Sequence, residues 1–201
     1  MYTIATARPH DLPSIAAIEL AAARLLEGHA PESVLAETTS HEDLVEAFGQ
    51  GRLWVSLADD MPVGFAHVKQ VEPNVVHLDE LDVHPAHGRR GIGRRLVMTV
   101  CDWATNAGYD AVTLCTFRDV PWNMPFYASL GFEVVSPEAL TPALWSLVES
   151  EIRHGLDPSA RVVMRRACVA APSRQGTTQG DVGHCCISPP VRAVRPAIAT
   201  G

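Results

Sequence analysis

The densest chemistry in the chain lies in His84-Pro85-Ala86-His87-Gly88-Arg89-Arg90-Gly91-Ile92-Gly93-Arg94-Arg95. This stretch leaves an apolar segment, turns, and opens a helical pattern. Amides at a helix N-terminus have no partner inside the helix and carry partial positive charge. Glycines there let an anion come close, and Arg89, Arg90, Arg94 and Arg95 add full charges. The combination suits a phosphate or pyrophosphate. Spacing narrows the choice. A P-loop needs Gly-Lys-Ser/Thr, which is missing here. A dinucleotide fingerprint needs a third glycine where Leu96 stands, and an all-parallel setting.

A second group precedes the loop. Asp79, Glu80 and Asp82 sit on one predicted strand. Alternation puts Glu80, Asp82 and His84 on one face, and Asp79, Leu81 and Val83 on the other. Carboxylates half buried in a sheet are costly unless hydrogen-bonded or used. Glu80 is the first candidate for a general base, ahead of Asp82, Asp79, His77 and His84. The bland reading is an acidic patch that attracts a cation. His84-x-x-His87 has no third ligand nearby in sequence, so no metal site is expected. Cys115 falls on a predicted buried strand and reads as core. Cys185-Cys186 reads as incidental, and no Ser-His-Asp nucleophile signature is visible.

The elements that must position these groups follow from periodicity and punctuation. Residues 2–7 read as a strand. Asp11 is placed to cap a helix from Leu12, with Ile15, Ile18, Ala22 and Leu25 at helical spacing, ended by Gly28. Residues 29–39 read as a polar loop. Ser40 caps a short helix reaching Phe48. Residues 53–57, 63–71 and 75–83 read as strands joined by tight turns, hence antiparallel. Residues 91–107 form a helix ended by Gly108. A strand at 111–116 follows, and strand–helix–strand over 75–116 makes a crossover with parallel strands. A short helix at 123–130, a strand at 132–135, a helix at 140–154 and a strand at 161–165 complete the pattern.

The 201 residues allow one domain with an appendage. No apolar run is long enough for a membrane span. The start, Met1-Tyr2-Thr3-Ile4, lacks a basic and an apolar signal-peptide region. The five cysteines follow no framework or metal spacing and read as reduced thiols, so a cytoplasmic location is expected. The net charge is −7, and because three arginines and one aspartate follow Ala167, residues 1–167 carry −9. That disfavours nucleic-acid backbones; it either favours a cationic substrate or only keeps the protein in solution. Residues 168–201 lose periodicity and aromatic side chains and are expected to be a disordered tail.

Two motifs then carry a resemblance. Gly91 and Gly93 resemble motif A of the GCN5-related N-acetyltransferases (GNAT), written Gln/Arg-x-x-Gly-x-Gly/Ala, although Gly88 stands at its first position. Leu81-Asp82-Val83-His84-Pro85 is similar to the lead-in strand. Phe126-Tyr127-Ala128-Ser129-Leu130-Gly131-Phe132 resembles motif B, in the right order and spacing. The resemblance covers residues 1–167. It implies an α/β fold with a mixed central sheet of about six to seven strands flanked by helices, and a splayed parallel pair that admits acetyl-CoA. It implies that residues from Arg89, Arg90, Gly91, Ile92 and Gly93 to Arg94 cradle the pyrophosphate. Backbone groups of Leu81, Asp82 and Val83 would bind the pantetheine arm, with Asn123 as a further contact or as a helix cap.

The resemblance further implies direct transfer to a primary amine in a ternary complex, with Tyr127 protonating the leaving thiolate and a carboxylate such as Glu80 taking the amine proton. The acceptor pocket would be built from residues 11–48, Trp122 and 137–158. The acceptor is a small-molecule amine or a peptide amine; no metal, nucleic acid or membrane is implied, and homodimers are common in the family. The alternatives are a non-catalytic acyl-CoA sensor, or a protein lysine or N-terminal acetyltransferase.

Overall fold

The computed structural model describes residues 1–169, so the predicted tail from Ala170 onward, with Cys185-Cys186, lies outside the described residues. Seven strands form one mixed sheet: β1 (Tyr2–Thr6), β2 (Leu53–Ala58), β3 (Met61–Glu72), β4 (Val75–Val83), β5 (Ala111–Phe117), β6 (Glu133–Val134) and β7 (Arg161–Ala167), in the order β1-β2-β3-β4-β5-β7-β6. The helices are α1 (Leu12–Ala23), α2 (Glu32–Leu35), α3 (His41–Gly49), α4 (Ile92–Asn106), α5 (Met124–Ala128) and α6 (Pro142–Arg153). No helix among the described residues is long and apolar enough to cross a membrane.

Helix α4 shows how the sequence makes its element. Gly91 caps it with a left-handed φ of 74°, which a side chain would strain. Ile92, Leu96, Val97, Val100, Cys101 and Ala104 then form one buried stripe at helical spacing. Each large aliphatic side chain buried there contributes about 1.5–3 kcal/mol. The stripe packs on one sheet face against Ala66, Val68, Val76, Leu78, Val112 and Leu114. The other face packs Val55, Leu57 and Phe65 against Ile15 and Ile18 of α1 and Leu44 and Ala47 of α3.

Two predicted details differ. The 29–39 segment contains the helical turn α2, with Pro31 in extended conformation at its N-cap and Glu32 in its first turn. Asp11 stands at the N-cap of α1 without capping it. Its carboxylate instead accepts from the Arg8 backbone N–H and from Arg8 Nε and Nη2 at 2.8–3.0 Å. A buried carboxylate gains more from a guanidinium than from one amide. The Ser40 cap forms as expected, accepting from the Asp43 N–H at 3.1 Å.

The strand pairing sets up the site. Strands β1 to β4 pair antiparallel in series, and β5 pairs antiparallel with β7. Strands β4 and β5 are parallel at three registers only: Val75 with Ala111, Val76 with Val112 and His77 with Thr113. Beyond His77, β4 runs on beside β3 and β5 runs on beside β7, so a fork opens between them.

Candidate active site

One wall of the fork is the C-terminal half of β4. Its pairing with β3 passes from Val68–Leu78 to His67–Glu80, which leaves Asp79 as an inserted residue, a β-bulge. The bulge overturns the simple alternation read from sequence. The Asp79 carboxylate reaches Lys69 Nζ at 2.8 Å and His67 Nδ1 at 3.4 Å. Those two residues pair with Glu80 and His77, so Asp79 shares their face rather than that of Leu81 and Val83. Leu81 and Val83 pack toward the α4 side. Burial alone would raise the Asp79 carboxyl, but the His67 and Lys69 contacts outweigh it and hold it below the ordinary range.

Glu80, paired with His67, and Asp82, paired with Phe65, follow the bulge on that same face. Carboxylate oxygens of Glu80, Asp82 and Glu19 all fall within 4.8 Å of one another. Burial pushes Glu80 well above its usual range, and the neighbouring carboxylates Asp82, Asp79 and Glu19 push it further. Asp82 rises to about 7 through burial and the charge of Glu19. Glu19 escaped the sequence reading. It is buried on α1 and accepts from the Thr39 N–H at 3.0 Å and from Thr39 Oγ1 at 3.1 Å. The available signal was a carboxylate sharing the buried face of Ile15, Ile18 and Ala22.

Tyr127 lies on the short helix α5, packed against Phe126 and Phe132. Burial raises its phenol, and the charges of Asp82 and Glu80 raise it further, so it holds its proton at neutral pH. His77, another candidate base, has a partner of its own. It is buried, its pKa is driven down to about 4 by burial, and its Nδ1 is bonded to Thr113 Oγ1 at 2.9 Å. Asn123 occupies the N-cap position of α5, but its side chain makes no cap bond; its N–H donates to the Val120 carbonyl at 3.0 Å and its carbonyl accepts from the Tyr127 N–H at 3.1 Å.

The glycine–arginine loop forms an open helix end. The Gly88 N–H bonds the Pro85 carbonyl at 3.0 Å, and the Arg95 N–H bonds the Gly91 carbonyl at 3.1 Å. The amides of residues 89–94 between them form the lead-in and first turn of α4, where the helix offers no partner. Arg89 adopts a left-handed φ of 57°. The four arginines are not equivalent. Arg90 Nη1 donates to Tyr2 Oη at 2.7 Å and Arg95 Nη1 to the Tyr2 carbonyl at 2.9 Å, tying both to β1. The two sequence motifs meet here: a side chain at Gly93 would touch Phe126 at 3.7 Å and Val83 at 4.0 Å.

The three segments assigned to an acceptor pocket converge. The His29 and Trp122 rings stand edge-on at 6.2 Å, and Gly155 lies against Pro31. Trp122 and Trp145 are about half exposed, whereas Trp54 is core. Cys115 is only partly buried, unlike the expected core residue; burial raises its thiol to about 12. The His84 and His87 rings lie 6.1 Å apart with each Nδ1 engaged, by the Ala86 N–H and by Tyr2 Oη.

The structure thus brings together a fork between parallel strands, an open helix end flanked by arginines, and a cluster of three carboxylates. Comparison with known proteins identifies the fold and the family. The structure is similar to PaiA N-acetyltransferase from Thermoplasma acidophilum in complex with coenzyme A, with a TM-score of 0.65 at 17% identity over 83% of this chain and 99% of that one. It is similar to N-acetylglutamate synthase from Neisseria gonorrhoeae complexed with coenzyme A and N-acetylglutamate, with a TM-score of 0.64 at 20% identity over 85% of this chain and only 36% of that one. It is also similar to the ribosomal-protein-S18-alanine N-acetyltransferase of Escherichia coli, with a TM-score of 0.59 at 20% identity over 88% of this chain and all of that one. The family model for the acetyltransferase (GNAT) family matches residues 22–132, which holds both motifs and the fork, and the chain belongs to that family.

Proposed function

We propose that this protein transfers the acetyl group of acetyl-CoA to a primary amine by direct attack in a ternary complex. The observation that carries the reading is the fork: β4 and β5 part after His77 and Thr113, with the open end of α4 at its mouth. In this reading the amides of residues 89–94, with Arg89 and Arg94, hold the coenzyme pyrophosphate. The unpaired β4 edge at Leu81, Asp82 and Val83 holds the pantetheine arm, and the Asn123 amide is available as a further contact. The catalytic unit is residues 1–167.

The chemistry follows from the protonation states. An alkylammonium with a pKa near ~10 must lose a proton before it is nucleophilic. Glu80 takes that proton, and its raised pKa brings it toward the working range of a general base. The amine nitrogen attacks the thioester carbonyl carbon, and hydrogen-bond donors stabilise the oxyanion that forms. The carbon–sulfur bond then breaks. Tyr127, protonated at neutral pH, gives its proton to the departing thiolate, leaving the amide and free coenzyme A.

A cationic acceptor is favoured by the Glu19, Glu80 and Asp82 carboxylates and by the −9 charge of residues 1–167. The test is coenzyme A release from acetyl-CoA with pooled amines, polyamines, amino acids and short peptides. Release that requires one class establishes turnover and names the acceptor. Binding of acetyl-CoA with no release from any pool would leave two readings: an acyl-CoA sensor, or an acceptor outside the pools.

A further inference from the structure

The fork has a hinge point of its own chemistry. His77 and Thr113 are the last pair in register between β4 and β5. Both are buried, and His77 Nδ1 lies 2.9 Å from Thr113 Oγ1. Thr113 Oγ1 also donates to the Val76 carbonyl at 3.2 Å. A hydroxyl has one proton to give. With that proton spent on Val76, Thr113 must accept from His77, which fixes the imidazole as the Nδ1–H tautomer. Two side-chain bonds thus stand where the ladder stops. Two residues further on, the bulge at Asp79 carries β4 away, anchored by Lys69 at 2.8 Å.

We propose that His77 and Thr113 are positioning residues for the coenzyme: their buried bond is the clasp that ends the β4–β5 ladder and sets how far the two strands part. Without it, the ladder has no fixed end, and the open backbone of β4 loses its spacing from β5. The inference rests on the proposed placement of the coenzyme arm in the fork. It assigns neither residue a part in proton transfer.

The experiment is calorimetric titration of the full-length chain with coenzyme A. Thr113→Val keeps the shape and removes both bonds; Thr113→Ser keeps the hydroxyl. Leu57→Ala, a buried change on β2, serves as a control for lost stability. Thr113→Val is expected to weaken coenzyme A binding by about tenfold. Thr113→Ser is expected to stay within about twofold of the parent, and Leu57→Ala to bind like the parent although its melting temperature falls. Should Thr113→Val fail to fold, His77→Phe, which keeps a ring and removes the donor, is read in the same way. Parental affinity in the folded variant overturns the clasp, as does Thr113→Ser binding as weakly as Thr113→Val, or Leu57→Ala weakening binding equally. A parent chain that does not bind coenzyme A overturns the placement of the coenzyme, and the clasp with it.

Discussion

Glu19 and Glu80 stand on different elements, α1 and β4, yet their carboxylate oxygens lie within 4.8 Å of each other, with Asp82 completing the trio. Like charges this close disfavour simultaneous ionisation. All three carboxyls are raised, each with burial as the main cause. The trio therefore holds protons in the folded state that the unfolded chain has released.

That excess binding has a definite sign. Stability supported by a raised carboxyl is present in acid and fades as pH rises from the unfolded value of ~4 through the folded one. For Asp82 the upper bound is about 7. Asp82→Asn is expected to raise the melting temperature at pH 8 and to leave it nearly unchanged at pH 4. Thermal unfolding at both values checks this; equal shifts would place the effect elsewhere.

Asp79 behaves in the opposite sense. Held below the ordinary carboxylate range by His67 and Lys69, it contributes stability above ~4 that is lost on acidification. Asp79→Asn is expected to cost about 1–3 kcal/mol at pH 7, with a deficit that shrinks toward pH 2. Urea unfolding across that range measures it, and a deficit independent of pH would rule out the ion pair as its source.

Glu80→Gln removes the group assigned to accept the amine proton. Its pH–rate profile for kcat/KM is expected to lose the acidic limb of the parent, with turnover down by about 10²-fold or more. A profile of the parental shape would assign the limb to another group, Asp82 first.

Tyr127→Phe removes only a hydroxyl. Turnover is expected to fall at least ~10-fold while the affinity for acetyl-CoA stays at the parental value. Steady-state kinetics and calorimetry together separate the two; unchanged turnover would end the role of Tyr127 as acid.

Gly64 is needed for a steric reason. A Cβ there would sit 2.8 Å from the Asp82 carbonyl oxygen on the neighbouring strand. Gly64→Ala is expected to destabilise the fold by about 1–3 kcal/mol and to reduce activity by displacing Asp82. Chemical denaturation and the coenzyme A release assay check the two effects; a variant as stable and active as the parent would show that the strand absorbs the methyl group.

Much of the architecture was legible because its signals are local. Alternation and tight turns marked β2, β3 and β4 as hairpins, helical spacing with Gly108 marked α4, and the crossover rule made β4 and β5 parallel. The glycine–arginine loop and the Phe126–Phe132 motif were readable as short, contiguous patterns. The Asp11 cap was misread because cap preference is a local rule, and Arg8 supplied a stronger partner.

By itself, then, the sequence determined the order of the elements and the presence of an open helix end flanked by arginines, since those depend on neighbours within a few residues. Only the tertiary structure decided which carboxylates face which. The bulge at Asp79 shifts side-chain direction by one residue, and a strand of period two cannot announce such an insertion in its own pattern. Only packing brought Glu19 of α1 beside Glu80 and Asp82, and Tyr2 of β1 against Arg90. Those pairings are set by burial and hydrogen bonding between chain segments far apart in sequence, where no spacing rule reaches.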